Sequence, residues 1–161
     1  MEKTLHPLNT LCRAYIYAIH CYFLEILFTV IILDQDWTFH GLTSLGSLFI
    51  YGTCSLAIEQ IHLVLRGDCC LLTRCTLYTL CIFLWQFSTG YVLQIFNACP
   101  WDYGQFRYSY KGLIALEHTL IWFVSSLLLE RLVIRNTLRL RLEEPWKAKE
   151  RSMPKFELKD D

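Results

Sequence analysis

Residues 76–96, "TLYTLCIFLWQFSTGYVLQIF", contain no Asp, Glu, Lys or Arg. A helix at the surface of a soluble protein needs a charged or polar face at helical spacing, and this run has none. Its length matches the roughly 20 apolar residues needed to cross a bilayer core about 30 Å thick. Extended to Arg74, it is one of four such stretches, at 13–33, 44–65, 74–96 and 112–132. The overall apolar share, 54%, is only modestly above the roughly 45–50% of soluble domains. The argument therefore rests on segregation: the charged residues are concentrated outside these runs. The fold class expected is all-α, an integral membrane four-helix bundle over residues 13–132. A cytoplasmic segment, 1–12, precedes it, and a basic amphipathic helix with a disordered cytoplasmic tail, 133–161, follows. The first run is too long for a cleaved signal and lacks a small-residue cleavage site, so it is expected to remain as an anchor. No internal repeat is evident at this level.

Orientation follows from the basic residues, which collect on the cytoplasmic side. The N-terminal segment, the loop between the second and third runs, and the tail together carry 13 Lys and Arg; the other two loops carry two, Arg107 and Lys111. Both termini are expected in the cytoplasm. The basic tail alternates with Leu and acids and directly follows a span, which argues against nucleic acid as a partner.

The runs are not wholly apolar. A charge at mid-bilayer costs roughly 2.5–3.5 kcal/mol on insertion scales, so ionisable groups there face the protein interior or water. The first run holds His20 and Glu25, the second Glu59 and His62, the third Gln86, and the fourth Glu117, His118 and Glu130. At about 1.5 Å of rise per residue, Glu25 and Gln86 fall near the midplane and could meet Glu117. His20 and Glu59 could meet nearer the cytoplasm. His20, Glu25, Glu59, Gln86 and Glu117 form the candidate intramembrane cluster. Three readings stay open: interhelical hydrogen bonds that only hold helices together, a proton-linked or solute-binding role, and a metal site. For the last, Glu59-x-x-His62 places two ligand types on one helical face, but no second such pair occurs. No metal, cofactor or catalytic residue is assigned.

Outside the spans, "NACPWDYGQFRY" (97–108) offers Trp101 and Asp102 as a lid over the cluster, or as an interfacial aromatic anchor with an Asp that caps the backbone. Arg131, Arg135 and Arg139 are spaced four apart, as one basic helical stripe, which fits contact with anionic lipid of the bilayer. Cys69 and Cys70 lie in the short cytoplasmic loop, where lipidation occurs. Thiols inside the runs behave as small hydrophobes.

"YAIHCYFLEILFT", "LFIYGT", "FNACPWDY", "GLIALE" and "ERLVIRNTLRLRL" resemble the vertebrate transmembrane protein 229 family, over residues 12–142. More distantly, the pattern is similar to a bacterial membrane family described as ABC-transporter components. There an acid in the first span and a Trp-Asp-Tyr element recur, corresponding here to Glu25 and to Trp101, Asp102 and Tyr103. The resemblance implies Glu at the position of Gln86, a departure that removes one protonatable group. It implies a multi-pass membrane protein and no established activity. No G-x-x-x-x-G-K-[ST] nucleotide loop is present. The leading expectation is a small, non-enzymatic, transport-associated protein whose core polar groups contact a solute, a lipid headgroup or a proton. The alternatives are an assembly subunit and a membrane-embedded lipid-modifying enzyme. So small a bundle would need to associate, with itself or another chain, to transport.

Overall fold

The computed structural model describes residues 5–28 and 45–142. Three long helices come first: α1 (Thr10–Phe28), α2 (Leu45–Leu65) and α3 (Leu71–Ile95). Leu116–His118 then form a 3-10 turn leading into α4 (Thr119–Leu128). A π turn, Leu129–Ile134, and a last α turn, α5 (Arg135–Thr137), continue the same rod. The protein is mostly helical. Among the described residues, α2 and α3 are long and apolar enough to cross a membrane.

Two short ribbons complete the fold. β1 (His6–Pro7) pairs antiparallel with β4 (Arg141–Leu142), tying the segment before α1 to the segment after the fourth rod. β2 (Ser109–Tyr110) pairs with β3 (Ile114–Ala115) between α3 and the fourth rod. The tight turn of this second ribbon has positive φ at Lys111 (52°) and Gly112 (68°). Gly112 suits it on two counts: the conformation is open to glycine, and a Cβ there would lie 2.4 Å from Asp102 Oδ1.

The helices make two hairpins, α1 with α2 and α3 with the fourth rod, joined chiefly through α2 and α3. Tyr17, Cys54, Ile58, Cys75, Tyr78, Leu129, Val133 and Ile134 form the core. Polar groups are as buried as apolar ones: Glu59 is 0% and Glu130 1% exposed. Large apolar side chains point the other way, with Leu11 80%, Phe49 69% and Leu120 72% exposed.

The expected run 44–65 corresponds closely to α2, and 74–96 begins one turn late on α3. The fourth run needs correction. Residues 112–115 belong to the ribbon, and the rod starts at Leu116 and continues to Thr137. The helix expected beyond 133 runs only to Thr137, because Arg141–Leu142 are extended and paired with His6–Pro7. Arg131 and Arg135 sit on the exposed side of the rod, whereas Arg139 lies in the turn beyond it, so the three do not form one helical stripe. The first inter-helix loop, with Trp37, and the tail after Pro145 lie outside the described residues.

Candidate functional site

The polar residues of the interior follow a helical step of four. On α1 they are Arg13, Tyr17, Cys21 and Glu25; on α3, Arg74, Tyr78, Ile82 and Gln86 stand at the same spacing. On α2 the series is Tyr51, Ser55 and Glu59; on the fourth rod it is Trp122, Ser126 and Glu130. A step of four keeps side chains on one face, about 6 Å apart along the axis. Each hairpin thus carries a polar seam, and the seams are built alike.

The lower tier lies at the end of the helices nearest the β1–β4 ribbon. In the first hairpin, Arg13 Nε donates to Glu59 at 2.9 Å (Oε2) and 3.2 Å (Oε1), and the Tyr17 hydroxyl donates to Oε2. Arg13 Nη1 also donates to the Leu8 carbonyl, five residues back, at 2.7 Å. In the second, Arg74 donates to Glu130 from Nη2 (2.7 Å) and Nε (3.2 Å). The Tyr78 hydroxyl donates to Oε2 at 2.7 Å, and Arg74 Nη1 reaches the Cys69 carbonyl, also five residues back, at 2.7 Å. Residue for residue, the two networks coincide, and they overturn the expectation that the chain has no repeat. One addition breaks the likeness: His62 Nδ1, from α2, lies 3.5 Å from Glu130 Oε2 and 3.4 Å from the Tyr78 hydroxyl. It links the first hairpin to the second. Buried ions persist when paired and hydrogen-bonded, and both carboxylates meet that condition.

A middle tier is lightly polar. Cys21 Sγ and Ser55 Oγ are 3.4 Å apart. Ser126 is buried, and its hydroxyl donates to the Phe123 carbonyl at 2.8 Å.

The upper tier lies beside the 97–115 loop. Gln86 Nε2 donates to the Tyr103 hydroxyl at 3.2 Å. Glu25 acts electrostatically on that phenol and on Tyr51, whose hydroxyl is within hydrogen-bonding reach of it. Burial pushes the Tyr103 phenol up to about 12, with Glu25 adding to the shift and the Gln86 hydrogen bond opposing it, so it remains a neutral hydroxyl near pH 7. Its ring packs edge-on against His118, centroids 4.9 Å apart. Among the described residues, Gln86 Oε1 and the indole N–H groups of Trp85 and Trp122 are buried without a hydrogen-bond partner. Gln86 and Trp122 stand at the upper tier, whereas Trp85 faces a groove between α2 and α3 lined by Ala57, Ile61 and Leu77.

Of the five expected cluster residues, Gln86 is hydrogen-bonded to Tyr103, and Glu25 acts on the same phenol electrostatically. His20 does not meet Glu59. It is exposed, its Nδ1 2.7 Å from the Ile16 carbonyl of its own helix, because it lies one residue, about 100° of helical rotation, off the inward face that carries Cys21. Glu117 does not join Glu25 and Gln86 either. It is exposed, and its carboxylate accepts the Tyr108 backbone N–H at 2.9 Å. Asp102 turns into its own loop, where Oδ1 accepts the Gly104 N–H at 2.8 Å, the capping alternative. Trp101 covers α3: its indole donates to the Leu113 carbonyl at 3.2 Å, and its ring lies over Gly90. Sequence reasoning missed Arg13, Arg74, Tyr17 and Tyr78. The available signal was Arg-x-x-x-Tyr, which occurs once at the start of each hairpin. Among the described residues no cluster of three or more His, Cys, Asp or Glu could hold a metal ion.

The family described as "Putative ABC-transporter type IV" matches residues 14–151. No solved structure matches the chain. The matched region contains both seams apart from Arg13, together with the loop that carries Trp101 and Tyr103, and by that extent the chain belongs to the putative ABC-transporter type IV family.

Proposed function

We propose that this protein is a four-span integral membrane protein with both termini in the cytoplasm, acting in transport through the upper polar tier. The observation that carries this reading is the inverted distribution of polarity. Carboxylates, guanidiniums and hydroxyls lie between the helices, while Leu11, Phe49, Leu72, Leu84 and Leu120 cover the outside. Such an arrangement is stable where hydrocarbon replaces water as the solvent. The lower tier, neutralised within each hairpin, holds the helices. The upper tier, with the orphan amide oxygen of Gln86 and the orphan indole N–H of Trp122, is the part suited to a ligand. Family membership supports the transport reading, and the resemblance to the vertebrate transmembrane protein 229 family supports the multi-pass one.

Several finer features belong to this proposal. Trp101 covers the site from the non-cytoplasmic side. Cys69 and Cys70 are available for lipidation at the cytoplasmic edge. Arg131, Arg135 and Arg139 meet anionic headgroups, and copies of the chain associate to complete a pathway. The second reading, an assembly subunit whose polar groups serve only cohesion, draws on the lower tier, where every carboxylate has its partners.

Reconstitution separates the two. Purified protein in liposomes is assayed for proton and solute flux, in wild type and in Glu25→Gln. Flux that is lost in Glu25→Gln while the fold persists supports transport. A wild-type protein with no flux, alone or co-reconstituted with proteins that copurify with it, sinks the transport reading and leaves the assembly role.

A further inference from the structure

The first hairpin reaches the clamp of the second through His62, in the last turn of α2. A carboxylate offers about four acceptor positions. On Glu130, Arg74 takes two of them and the Tyr78 hydroxyl a third. His62 Nδ1, 3.5 Å from Oε2, stands where the fourth would be filled. On Glu59 the matching place is approached from the same helix, by Gln60 Nε2 at 3.5 Å. The Tyr78 hydroxyl has one proton and lies 2.7 Å from Glu130 Oε2 but 3.4 Å from His62 Nδ1, so the carboxylate takes that proton. Nδ1 then faces the lone pairs of two oxygens, and the contact is attractive only if Nδ1 itself carries hydrogen. Both partners are enclosed, with 7% and 1% of the side chains exposed. The second hairpin shows what cohesion alone asks of this place. At the offset that matches Tyr51, Ser55 and Glu59 to Trp122, Ser126 and Glu130, His62 matches Val133, a buried apolar residue. A valine suffices at 133; at 62 an ionisable ring is set against a carboxylate.

We propose that His62 is a proton-operated latch that fastens the first hairpin to the second at the β1–β4 end of the bundle, closed when the imidazole is protonated and open when it is neutral. Imidazole is the side chain whose charge ordinarily changes between about pH 5 and 8. With hydrogen on both ring nitrogens, the contact with Glu130 becomes a charge-assisted hydrogen bond, which draws in to about 2.7–2.9 Å. At 3.5 Å the contact is poised rather than drawn in. Loss of the proton leaves a neutral ring, while the carboxylate keeps Arg74 and Tyr78. Each clamp pairs its charges within one hairpin, so the hairpins are firm bodies and opening the latch breaks neither clamp. The β1–β4 ribbon joins the same two hairpins through the main chain and tethers them when the latch is open. α1, α3 and the Leu129–Ile134 turn pack against α2. The charged and titratable groups they carry near this end are Arg13 and Tyr17 on α1, both bound to Glu59, then Arg74, Cys75 and Tyr78 on α3, and Glu130 and Arg131 on the turn; α2 itself adds Glu59 and Arg66. Of these, Glu130 and Tyr78 are the ones that meet His62 Nδ1. The latch stands on these contacts and goes beyond the transport reading.

The full chain in nanodiscs of neutral lipid is unfolded thermally at pH values from about 5 to 8, beside His62→Val, which copies position 133. A tenfold tightening of the latch on protonation corresponds to a Tm about 3–5 °C higher. The wild type should gain that much over His62→Val as the pH falls through the range and lose it again as the pH rises. The difference between the two proteins cancels the carboxylates and the other histidines, which both share. Amide hydrogen exchange, corrected for intrinsic rate, reads the opening itself. Residues 61–65 and 129–134 should exchange about tenfold more slowly in acid than at high pH in the wild type, with no such change in His62→Val. A purely structural histidine would alter Tm by one amount at every pH. Equal slopes in wild type and His62→Val, or a wild type that loses stability against His62→Val in acid, overturn the proposal. Should His62→Val not fold, His62→Gln carries the test. Its amide can donate to Glu130 but holds no titratable proton, so the wild type should gain on it in acid, and equal slopes refute the latch. Absence of flux in liposomes would end the transport reading without touching these slopes.

Discussion

Arg74 grips Glu130 with two nitrogens of its guanidinium, Nη2 to Oε1 at 2.7 Å and Nε to Oε2 at 3.2 Å. The pair is almost fully enclosed, with 11% and 1% of the two side chains exposed. Removing one partner leaves a buried charge uncompensated, at a cost of about 3–5 kcal/mol, whereas replacing both with apolar residues of similar volume is often neutral. Arg74→Met should therefore lower stability by about that amount, and Arg74→Met with Glu130→Leu should recover most of it. Reversible unfolding of the detergent-solubilised protein measures both. Arg131→Gln, on the exposed face, should stay within about 0.5 kcal/mol of wild type. A double variant as unstable as the single would mean that the contact is not what the carboxylate needs.

The tyrosines complete each clamp. Hydrogen bonds to charged groups contribute about 1.5–3 kcal/mol, so Tyr17→Phe and Tyr78→Phe should each cost that much while keeping the aromatic ring. No hydrogen bond joins the Arg13–Glu59 and Arg74–Glu130 clamps among the described residues, so the double variant should be additive within about 0.5 kcal/mol. Unfolding midpoints for the two singles and the double decide it. Tyr78→Phe should be the more costly of the two, because it also removes the contact with His62 Nδ1 at 3.4 Å.

How far these features were legible in the sequence depends on the kind of signal. The apolar runs marked α2 and α3 to within a few residues, because uncharged stretches of that length have few alternatives. Rise per residue assigned Glu25 and Gln86 to one depth but could not supply Tyr103, the loop residue whose hydroxyl meets Gln86. His20 was misjudged because depth was considered without rotation, and one residue of rotation sends it outward. Glu117 was misjudged because Lys111 and Gly112 open a ribbon where a helical turn was expected; the Gly-Leu of that turn carries no strong local mark. Arg141 was read on a helix because its alternation with Leu fits either period, and only pairing with His6–Pro7 decides for the extended form. The pattern shared by the two hairpins, Arg-x-x-x-Tyr-x-x-x-x-x-x-x-[Glu/Gln] and Ser-Leu-x-x-Glu, is written in the sequence but was not recognised there. A search for acids and imidazoles overlooks it, since its first letters are an arginine and a tyrosine.

Gly90 fixes the loop to α3. A Cβ at this position would approach Leu113 Cδ2 to 2.8 Å and Trp101 Cζ2 to 3.0 Å, closer than van der Waals contact allows. Gly90→Ala should force Trp101 off the helix. Overpacking of this kind costs about 1–3 kcal/mol. The expected result is a change in tryptophan fluorescence and faster proteolysis within 97–115, with the Arg13–Glu59 and Arg74–Glu130 clamps intact. Unchanged fluorescence and proteolysis would show that Trp101 does not cover α3 as described.

Cys70 and Cys99 test orientation and reactivity together. Cys70 is exposed at the start of α3, and its Sγ lies 3.1 Å from Thr73 Oγ1. That hydrogen bond, helped by backbone N–H groups and by Arg74, holds the thiol below its ordinary value. The thiolate is the nucleophile, so alkylation of Cys70 should rise with pH and level off earlier than for an unperturbed thiol near about pH 8.5. Thr73→Ala should move that midpoint upward. Cys75, fully buried, should remain unlabelled in the folded protein. In sealed cells, a membrane-impermeant maleimide should reach Cys70 only after permeabilisation, because the loop between α2 and α3 faces the cytoplasm in the proposed topology. Cys99, on the loop after α3 with its thiol directed to the Trp101 carbonyl at 3.3 Å, should react from outside, or from the lumen, and more slowly, as the partly covered group it is. Labelling of both cysteines from the same side would place an odd number of crossings between the second loop and the third in doubt, and with it the assignment of α3 as a span.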